Sequence, residues 1–157
     1  GSSFLPSAFN AAFLYAPIST LIRIQQKRMA IWNKYHKSLE DTCIRLSISQ
    51  PIIPEFATNN GHMYYLVCRS ETQRNNLIAH LRGFGIHSVF HYQSLHASEY
   101  FNGKHDDREL INTDIYSDRL VRLPFYYELS TDDQDIIIDA VTSFGGRRHR
   151  PPGCCCC

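Results

Sequence analysis

The sequence predicts a mixed α/β (α+β) chain in which a long amino-terminal helix leads into a small sheet covered by helices. A helical apolar period over residues 7–39 is the first observation that predicts this class. The second is that short stretches rich in Tyr, Leu and Val then alternate with further helical patterns. The third is the ordinary globular composition, with 43% hydrophobic and 20% charged residues among 157. We therefore expect a long helix over residues 1–40, a small lobe over 41–144 and a tail over 145–157.

The first helix opens with a capping signal. Ser7 follows Pro6, and a serine at this position can accept a hydrogen bond from the first helical turn. Apolar residues then recur three or four positions apart, or at sums of these spacings: Leu14, Ile18, Leu21, Met29, Trp32, Tyr35 and Leu39. Because Pro17 removes one helical hydrogen bond, we expect either one kinked helix or two stacked helices.

An extended connector and a strand are predicted next. Pro51 and Pro54 disfavour helix over residues 41–60. Residues 62–69 (HMYYLVCR) are rich in the residue types that strands favour. Cys68 within this stretch has no identifiable base to activate it, so we expect a buried thiol rather than a nucleophile.

The remaining elements alternate between helix and strand. They are a helix over 72–84 with Ser70 as its cap, a strand over 86–92, a polar irregular stretch over 93–114, a short helix over 115–120, a strand over 121–123 and a last helix over 131–144. The last helix has a strong start signal, because Ser130 precedes acidic residues and an apolar helical face.

Charge and cysteine content exclude several classes of function. A net charge of +1 argues against a general nucleic-acid binder, and the lack of a long apolar run argues against a membrane span. No secretory signal is evident, and the body of the chain holds only Cys43 and Cys68, which favours the cytoplasm. The terminal run Cys154–Cys157 follows an Arg- and Pro-rich stretch and predicts a disordered or aberrant tail. A lipidated tail and a metal-binding tail are the alternatives.

Candidate chemistry concentrates after the second predicted strand. His91, His96 and Glu99 lie within nine residues, and the spacing of five between the histidines does not form a helical face. Hydrogen bonding or acid/base work therefore fits this set better than a metal site. Phe90 and Tyr92 flank His91, and such an aromatic cluster either belongs to the core or lines a ligand pocket.

Several segments, in the same order, resemble the DegT/DnrJ/EryC1/StrS aminotransferases, which use pyridoxal phosphate (PLP) to aminate nucleotide-linked keto-sugars. The segments are GSSFLPSAFNAAFLYAP, RIQQKRMAIWNKYHKSL, HMYYLVCR, GIHSVFHYQSLH and DRLVRLPFYYELSTDD. The resemblance covers Gly1 to about Phe144. It implies the C-terminal small lobe of a type I PLP aminotransferase, in an enzyme that acts as a homodimer.

The resemblance also implies site residues. Ser2 and Ser3 would contact the PLP phosphate of the partner subunit. The residues implied to face the nucleotide-sugar are Phe4, Phe90, His91, Tyr92 and His96. Ser94 stands where the family motif has proline. None of the four lysines lies in the family's lysine motif: Lys27, Lys34, Lys37 and Lys104. The resemblance therefore assigns no catalytic residue here, and the chain alone is expected to be inactive.

Two functional hypotheses follow. In the first, the chain is the C-terminal part of an aminotransferase that acts on a dTDP-linked 4-keto-6-deoxy sugar in cell-surface polysaccharide biosynthesis, with glutamate as amino donor. In the alternative, it is a non-catalytic interaction module or a degenerate remnant that binds an intact aminotransferase. A second portion of the enzyme that supplies a lysine would favour the first.

Overall fold

The computed structural model describes residues 5–101, 103–104, 106 and 108–146. Its helices and strands are, in chain order, α1 (Ala8–Ser38), α2 (Glu40–Leu46), β1 (Tyr65–Val67), α3 (Glu71–Gly83), α4 (Ile111–Arg119), β2 (Leu120–Arg122) and α5 (Thr131–Ser143). The predicted α/β class is confirmed. The roles expected of Ser2, Ser3 and Phe4, and the tail beyond Gly146, lie outside the described residues.

The start of α1 lies where the capping signal predicts it. The side chain of Ser7 accepts a hydrogen bond from the Asn10 N–H at 3.2 Å. The helix then continues as one element through Pro17, so the alternative of two separate helices is wrong. Proline removes a single helical hydrogen bond, and the turns before and after it keep theirs. The Thr20 hydroxyl donates to the Pro17 carbonyl at 3.0 Å.

The connector predicted over residues 41–60 begins later than expected, because its first residues belong to α2. Glu40 and Asp41 lie in the first turn of α2, where the helix dipole favours negative charge. Cys43 is buried in the core, and Ser47 ends the helix in the left-handed conformation at φ 53°. Burial against the rest of the lobe thus selects helix where the proline pattern predicts extended chain.

A narrow antiparallel sheet lies at the centre of the lobe. The strands β1 and β2 pair along their full length. Isolated bridges extend this pairing on both sides, with Ser49 opposite Val67 and Val89 opposite Arg122. Both bridges are antiparallel, so four stretches of chain lie side by side although only two of them are strands.

The prediction of a strand over 86–92 is therefore wrong. Of these residues, only Val89 pairs with a neighbouring strand, through a single bridge. Buried and exposed side chains do alternate over residues 86–89, as in a strand. However, the antiparallel register that the bridge sets would place Pro124 opposite His87, and proline has no N–H to donate to a ladder. The neighbouring strand is also only three residues long, which leaves little edge to pair with.

The carboxyl-terminal half of α1 supplies one wall of the core. The rings of Tyr35 and Tyr64 are fully buried and stack with their centroids 5.2 Å apart. Both hydroxyls have partners, since Tyr35 donates to the Pro124 carbonyl at 3.0 Å and Tyr64 accepts from the Gln50 amide at 2.9 Å. Among the described residues, the other large side chains that are fully buried are Leu39, Leu66, Cys68, Leu77, Leu81, Val121, Leu129 and Val141.

Both cysteines of the lobe are free and buried. Burial raises the pKa of Cys43 to about 11 and the pKa of Cys68 to about 12, although nearby Arg74 lowers the latter. The nucleophilic form of cysteine is the thiolate, which is scarce at neutral pH when the pKa is this high. The prediction that Cys68 is a buried thiol is confirmed.

The cap of α5 provides a direct test of this local structure. The Ser130 hydroxyl accepts from the Asp133 N–H at 3.0 Å and donates to the Asp133 carboxylate at 2.7 Å. We expect Ser130→Ala to lower the free energy of unfolding by about 1 kcal/mol, measured by urea denaturation. The control Ser38→Ala alters an exposed serine at the end of α1 and is expected to change stability by less than about 0.5 kcal/mol. Equal losses in the two variants would contradict the capping role.

Candidate functional site

The segment that follows the Val89 bridge carries three of the predicted substrate-facing residues. The Arg122 N–H donates a hydrogen bond to the Val89 carbonyl at 2.8 Å, and the Val89 N–H donates one to the Arg122 carbonyl at 3.4 Å. These bonds fix the start of the segment, and Phe90, His91 and Tyr92 follow at once. Functional side chains are commonly placed on such loops, which a rigid sheet holds in position.

A cleft of about 420 Å³ lies between this segment and α4. Its volume is within the range of small-molecule sites. The lining residues on the segment are His91, Tyr92, Gln93, Ser94 and Leu95, and those on α4 are Asn112, Thr113, Tyr116 and Ser117. The lining therefore combines imidazole, phenol, amide and hydroxyl groups, all of which form hydrogen bonds, with an apolar leucine.

Ser117 on α4 holds the segment in place. The Ser94 N–H donates to the Ser117 hydroxyl at 3.2 Å, and that hydroxyl donates to the Tyr92 carbonyl at 3.3 Å. Ser94 itself is buried. A proline at position 94 would have no N–H to give to Ser117, so serine replaces the rigidity of a ring with a hydrogen bond to the helix.

A second attachment joins the loop to α4. His96 Nε2 lies 2.8 Å from the Asp114 carboxylate. His96 is not among the lining residues of the cleft, so its geometry is that of a residue that positions the loop. Glu99 is exposed. Among the described residues, no three His, Cys, Asp or Glu side chains converge where one metal ion could be held.

His91 combines a buried nitrogen, unpartnered among the described residues, with a lowered pKa. Its Nδ1 atom is buried and has no hydrogen-bond partner in the described part of the chain. Burial lowers the pKa of His91, and the positive charges of Arg122 and His62 lower it further. The imidazole is therefore neutral at neutral pH. This nitrogen is enclosed by the protein, so a ligand in the cleft can reach only other parts of the His91 side chain.

The lowered pKa of His91 predicts how stability depends on pH. A group with a lower pKa in the folded state contributes stability above its unfolded pKa, and this contribution is lost as the pH falls through the folded pKa. We therefore expect acidification from about pH 7 to about pH 5 to lower the Tm of the wild type more than that of His91→Gln. The control His87→Gln alters an exposed histidine and should follow the wild type. Parallel pH profiles for His91→Gln and the wild type would contradict the assignment.

Phe90 and Tyr92 leave much of their rings open to a ligand. Phe90 is 48% exposed and Tyr92 is 72% exposed. The Arg74 guanidinium lies 5.5 Å from the centroid of the Phe90 ring, which orients that ring by a cation–π contact. The centroids of the His91 and Tyr92 rings lie 4.4 Å apart. His91 and Tyr92 line the cleft, whereas Phe90 is not among its lining residues.

The cleft does not fit covalently held PLP, because no lysine is among the residues that line it in the described part of the chain. Lys34 pairs with Asp135 of α5 at 2.7 Å. The Lys104 amino group lies 3.7 Å from the centroid of the Tyr100 ring. The lining of this cleft is suited to binding and orienting a polar ligand.

The contribution of α4 was not foreseen from the sequence. The helix predicted over 115–120 begins four residues later than α4 does, so Asn112 and Thr113 fall in the stretch that the sequence predicts to be irregular. Thr113, Tyr116 and Ser117 are three and four positions apart, which places them on one face of a helix. That polar spacing is the signal that could have revealed this wall of the cleft.

Residues 1–142 match the DegT/DnrJ/EryC1/StrS aminotransferase family. This chain belongs to that family. The family predicted from the order of the segments is therefore confirmed. As for the membrane, no helix in the described ranges is both long enough and apolar enough to cross one.

Several solved structures resemble the chain. A DegT DnrJ EryC1 StrS aminotransferase from Brucella abortus is 27% identical, with a TM-score of 0.70 over 87% of this chain and 35% of that chain. S. venezuelae DesV is 23% identical, with a TM-score of 0.76 over 88% and 36%. The sugar aminotransferase CalS13 from Micromonospora echinospora is 19% identical, with a TM-score of 0.69 over 81% and 32%. The chain thus spans about a third of the length of the structures that it matches.

Proposed function

We propose that this chain is the C-terminal part of a PLP-dependent nucleotide-sugar aminotransferase. The observation that carries the proposal is the family match over residues 1–142, in a chain that covers about a third of each related structure. When bound, PLP supplies the chemistry of amino-group transfer. In the complete enzyme its lysine belongs to the part of the fold outside this chain, and the lobe described here closes the substrate side of the site.

The cleft beside α4 suits the nucleotide-sugar. Tyr92 presents a flat, exposed ring in the cleft against which a base or a sugar face can pack, and the half-exposed ring of Phe90 lies two residues before it in the segment. The imidazole of His91 lines the cleft, and an imidazole can form a hydrogen bond with a sugar hydroxyl. The loop is held by Ser117 and by the contact between His96 and Asp114. The side chains of the loop that line the cleft are therefore in position before the ligand arrives. The proposed role of this lobe is to bind and orient.

The finer proposal concerns the substrate. We propose the reaction of a dTDP-4-amino-4,6-dideoxygalactose transaminase, in which glutamate aminates a dTDP-linked 4-keto-6-deoxy sugar in the cytoplasm for cell-surface polysaccharide. The resemblance of the opening segment and of residues 90–96 to such enzymes supports it. In the proposed homodimer, Ser2 and Ser3 contact the PLP phosphate of the partner subunit, and Phe4 faces the substrate.

The test is a chimera in which this chain replaces the segment that it matches in the Brucella abortus aminotransferase. With PLP, glutamate and a dTDP-linked 4-keto-6-deoxy sugar, the chimera is expected to form the amino sugar, and the chain alone is expected to form none. Product formation is measured by mass spectrometry. A chain that is as active alone as in the chimera would contradict the proposal, and so would a PLP-loaded chimera that forms no amino sugar.

A further inference from the structure

The segment that borders the cleft is tied to α4 through the hydroxyl of Ser117. This hydroxyl accepts a hydrogen bond from the Ser94 N–H at 3.2 Å and donates one to the Tyr92 carbonyl at 3.3 Å. It therefore binds the backbone on both sides of Gln93, and Tyr92, Gln93 and Ser94 all line the cleft. The conformation of this part of the cleft wall thus depends on a side chain of α4.

Loss of the Ser117 hydroxyl would leave a buried donor without this partner. Ser94 is 7% exposed, so water has little access to its N–H. A buried N–H that loses its partner keeps the full cost of desolvation. The backbone is therefore expected to move until the Ser94 N–H meets water, and this movement would displace Tyr92 and Gln93 from their places in the cleft wall.

A proline at position 94 would remove the same hydrogen bond from the other side. Proline has no N–H, and its ring carbon Cδ lies about 1.5 Å from the nitrogen, in the direction that the N–H would take. Because the Ser94 nitrogen is 3.2 Å from the Ser117 oxygen, that carbon would come within about 2 Å of the oxygen. Non-bonded atoms need about 3.5 Å, so the two groups clash. The clash disappears when residue 117 has no hydroxyl.

We propose that Ser117 is a positioning residue for the nucleotide-sugar and that positions 94 and 117 are coupled. Ser94→Pro then impairs binding on its own but restores it when Ser117→Ala is also present. This inference rests on the proposed function. Each single change removes one partner of the hydrogen bond, whereas the double change removes both partners and restrains the backbone with the proline ring. The family motif has proline at this position, which indicates that the backbone there accepts the ring.

The first measurement is the steady-state kinetics of the chimera with the Brucella abortus enzyme and a dTDP-linked 4-keto-6-deoxy sugar. We expect Ser117→Ala to raise KM about fivefold and to leave kcat within about twofold, because the lost contact acts before and during the reaction. Ser94→Pro alone is expected to raise KM at least as much. In the double variant, we expect KM to return to within about twofold of the unaltered chimera.

Two kinetic results would overturn the proposal. One is a double variant whose KM stays as high as that of Ser117→Ala, which is the result expected if the Ser117 hydroxyl contacts the ligand directly. The other is a Ser117→Ala variant whose KM is unchanged. The decisive comparison is between Ser117→Ala and the double variant, so it holds even if Ser94→Pro alone fails to fold.

Ser98→Ala is the matched control. The Ser98 hydroxyl donates to the Leu95 carbonyl at 2.7 Å, so the hydrogen bond that it loses lies within the loop and does not reach α4. Ser98 is not among the residues that line the cleft. We expect the KM of this variant to stay within about twofold of the unaltered chimera. A rise as large as that of Ser117→Ala would show that the loop is merely sensitive to substitution, and would overturn the proposal.

Amide hydrogen exchange tests the coupling without catalysis. Over residues 91–96 of the chimera, we expect exchange at least about fivefold faster in Ser117→Ala, and within about twofold of the unaltered rate at the remaining amides of the double variant. Equal exchange in Ser117→Ala and the unaltered chimera would overturn the coupling. If the chimera is insoluble, the same measurement on the chain alone decides, because both partners of the hydrogen bond belong to this chain.

The coupling and the proposed function fail separately. A chimera that shows the expected exchange pattern but forms no amino sugar supports the coupling and contradicts the function. A chimera that forms amino sugar, and in which the double variant is no better than Ser117→Ala, does the reverse.

Discussion

Replacing Ile137 by alanine is expected to lower the free energy of unfolding by about 2–5 kcal/mol. Ile137 lies on α5, is 5% exposed and belongs to the hydrophobic core cluster. Alanine removes three carbons and leaves a cavity that the surrounding side chains fill only in part. Because a domain of this size is stable by about 5–15 kcal/mol, this loss is a large fraction of the total.

The neighbouring isoleucine provides the control. Ile136 is 55% exposed on the same helix, so Ile136→Ala changes the same atoms without opening a buried cavity. Its expected cost is below about 1 kcal/mol, since most of its apolar surface already faces water. Urea denaturation of both variants measures the two losses. Similar losses would contradict the packing described for α5.

Replacing His91 by alanine is expected to lower kcat/KM of the chimera for the nucleotide-sugar by about tenfold. The change removes an imidazole that lines the cleft. One hydrogen bond to a ligand contributes about 0.5–1.5 kcal/mol, and 1.4 kcal/mol corresponds to a factor of ten. If His91 binds and orients, KM should rise more than kcat falls, because the lost contact exists before and during the reaction.

His87→Ala is the matched control for this prediction. His87 is exposed, lies four residues earlier in the chain and is not among the cleft residues. We expect its kcat and KM to stay within about twofold of the unaltered chimera. A loss in His87→Ala as large as that in His91→Ala would show that the segment is merely sensitive to substitution, and would contradict a direct role for the imidazole.

Local signals predict the starts of three of the helices, α1, α3 and α5. Ser7, Ser70 and Ser130 each accept a backbone hydrogen bond at the start of a helix, as their positions in the sequence indicate. Such caps depend on residues within one turn of each other, so a sequence pattern contains all the information that is needed. In α5 the period predicts the burial of Ile137, Ala140 and Val141 correctly, but Ile136, also expected on the core face, is 55% exposed, and Ile138 is buried instead.

Long-range contacts explain what the sequence did not predict. The helix α2 forms after residue 39 because Thr42 and Cys43 are buried against the rest of the lobe. The bridge at Val89 depends on how far β2 extends before Pro124. The cleft wall on α4 likewise exists only because Ser117 meets a loop more than 20 residues earlier in the chain. Each of these depends on a partner that is distant in sequence, and local patterns contain no information about it.

The intact mass of this gene's product, purified under native conditions from its own source, tests the central claim most directly. That claim is that the chain works as one part of a larger aminotransferase. The account predicts a polypeptide well above 18.1 kDa, or an 18.1 kDa chain that purifies together with a polypeptide supplying the rest of the fold. A single 18.1 kDa product that purifies without any other polypeptide would contradict it.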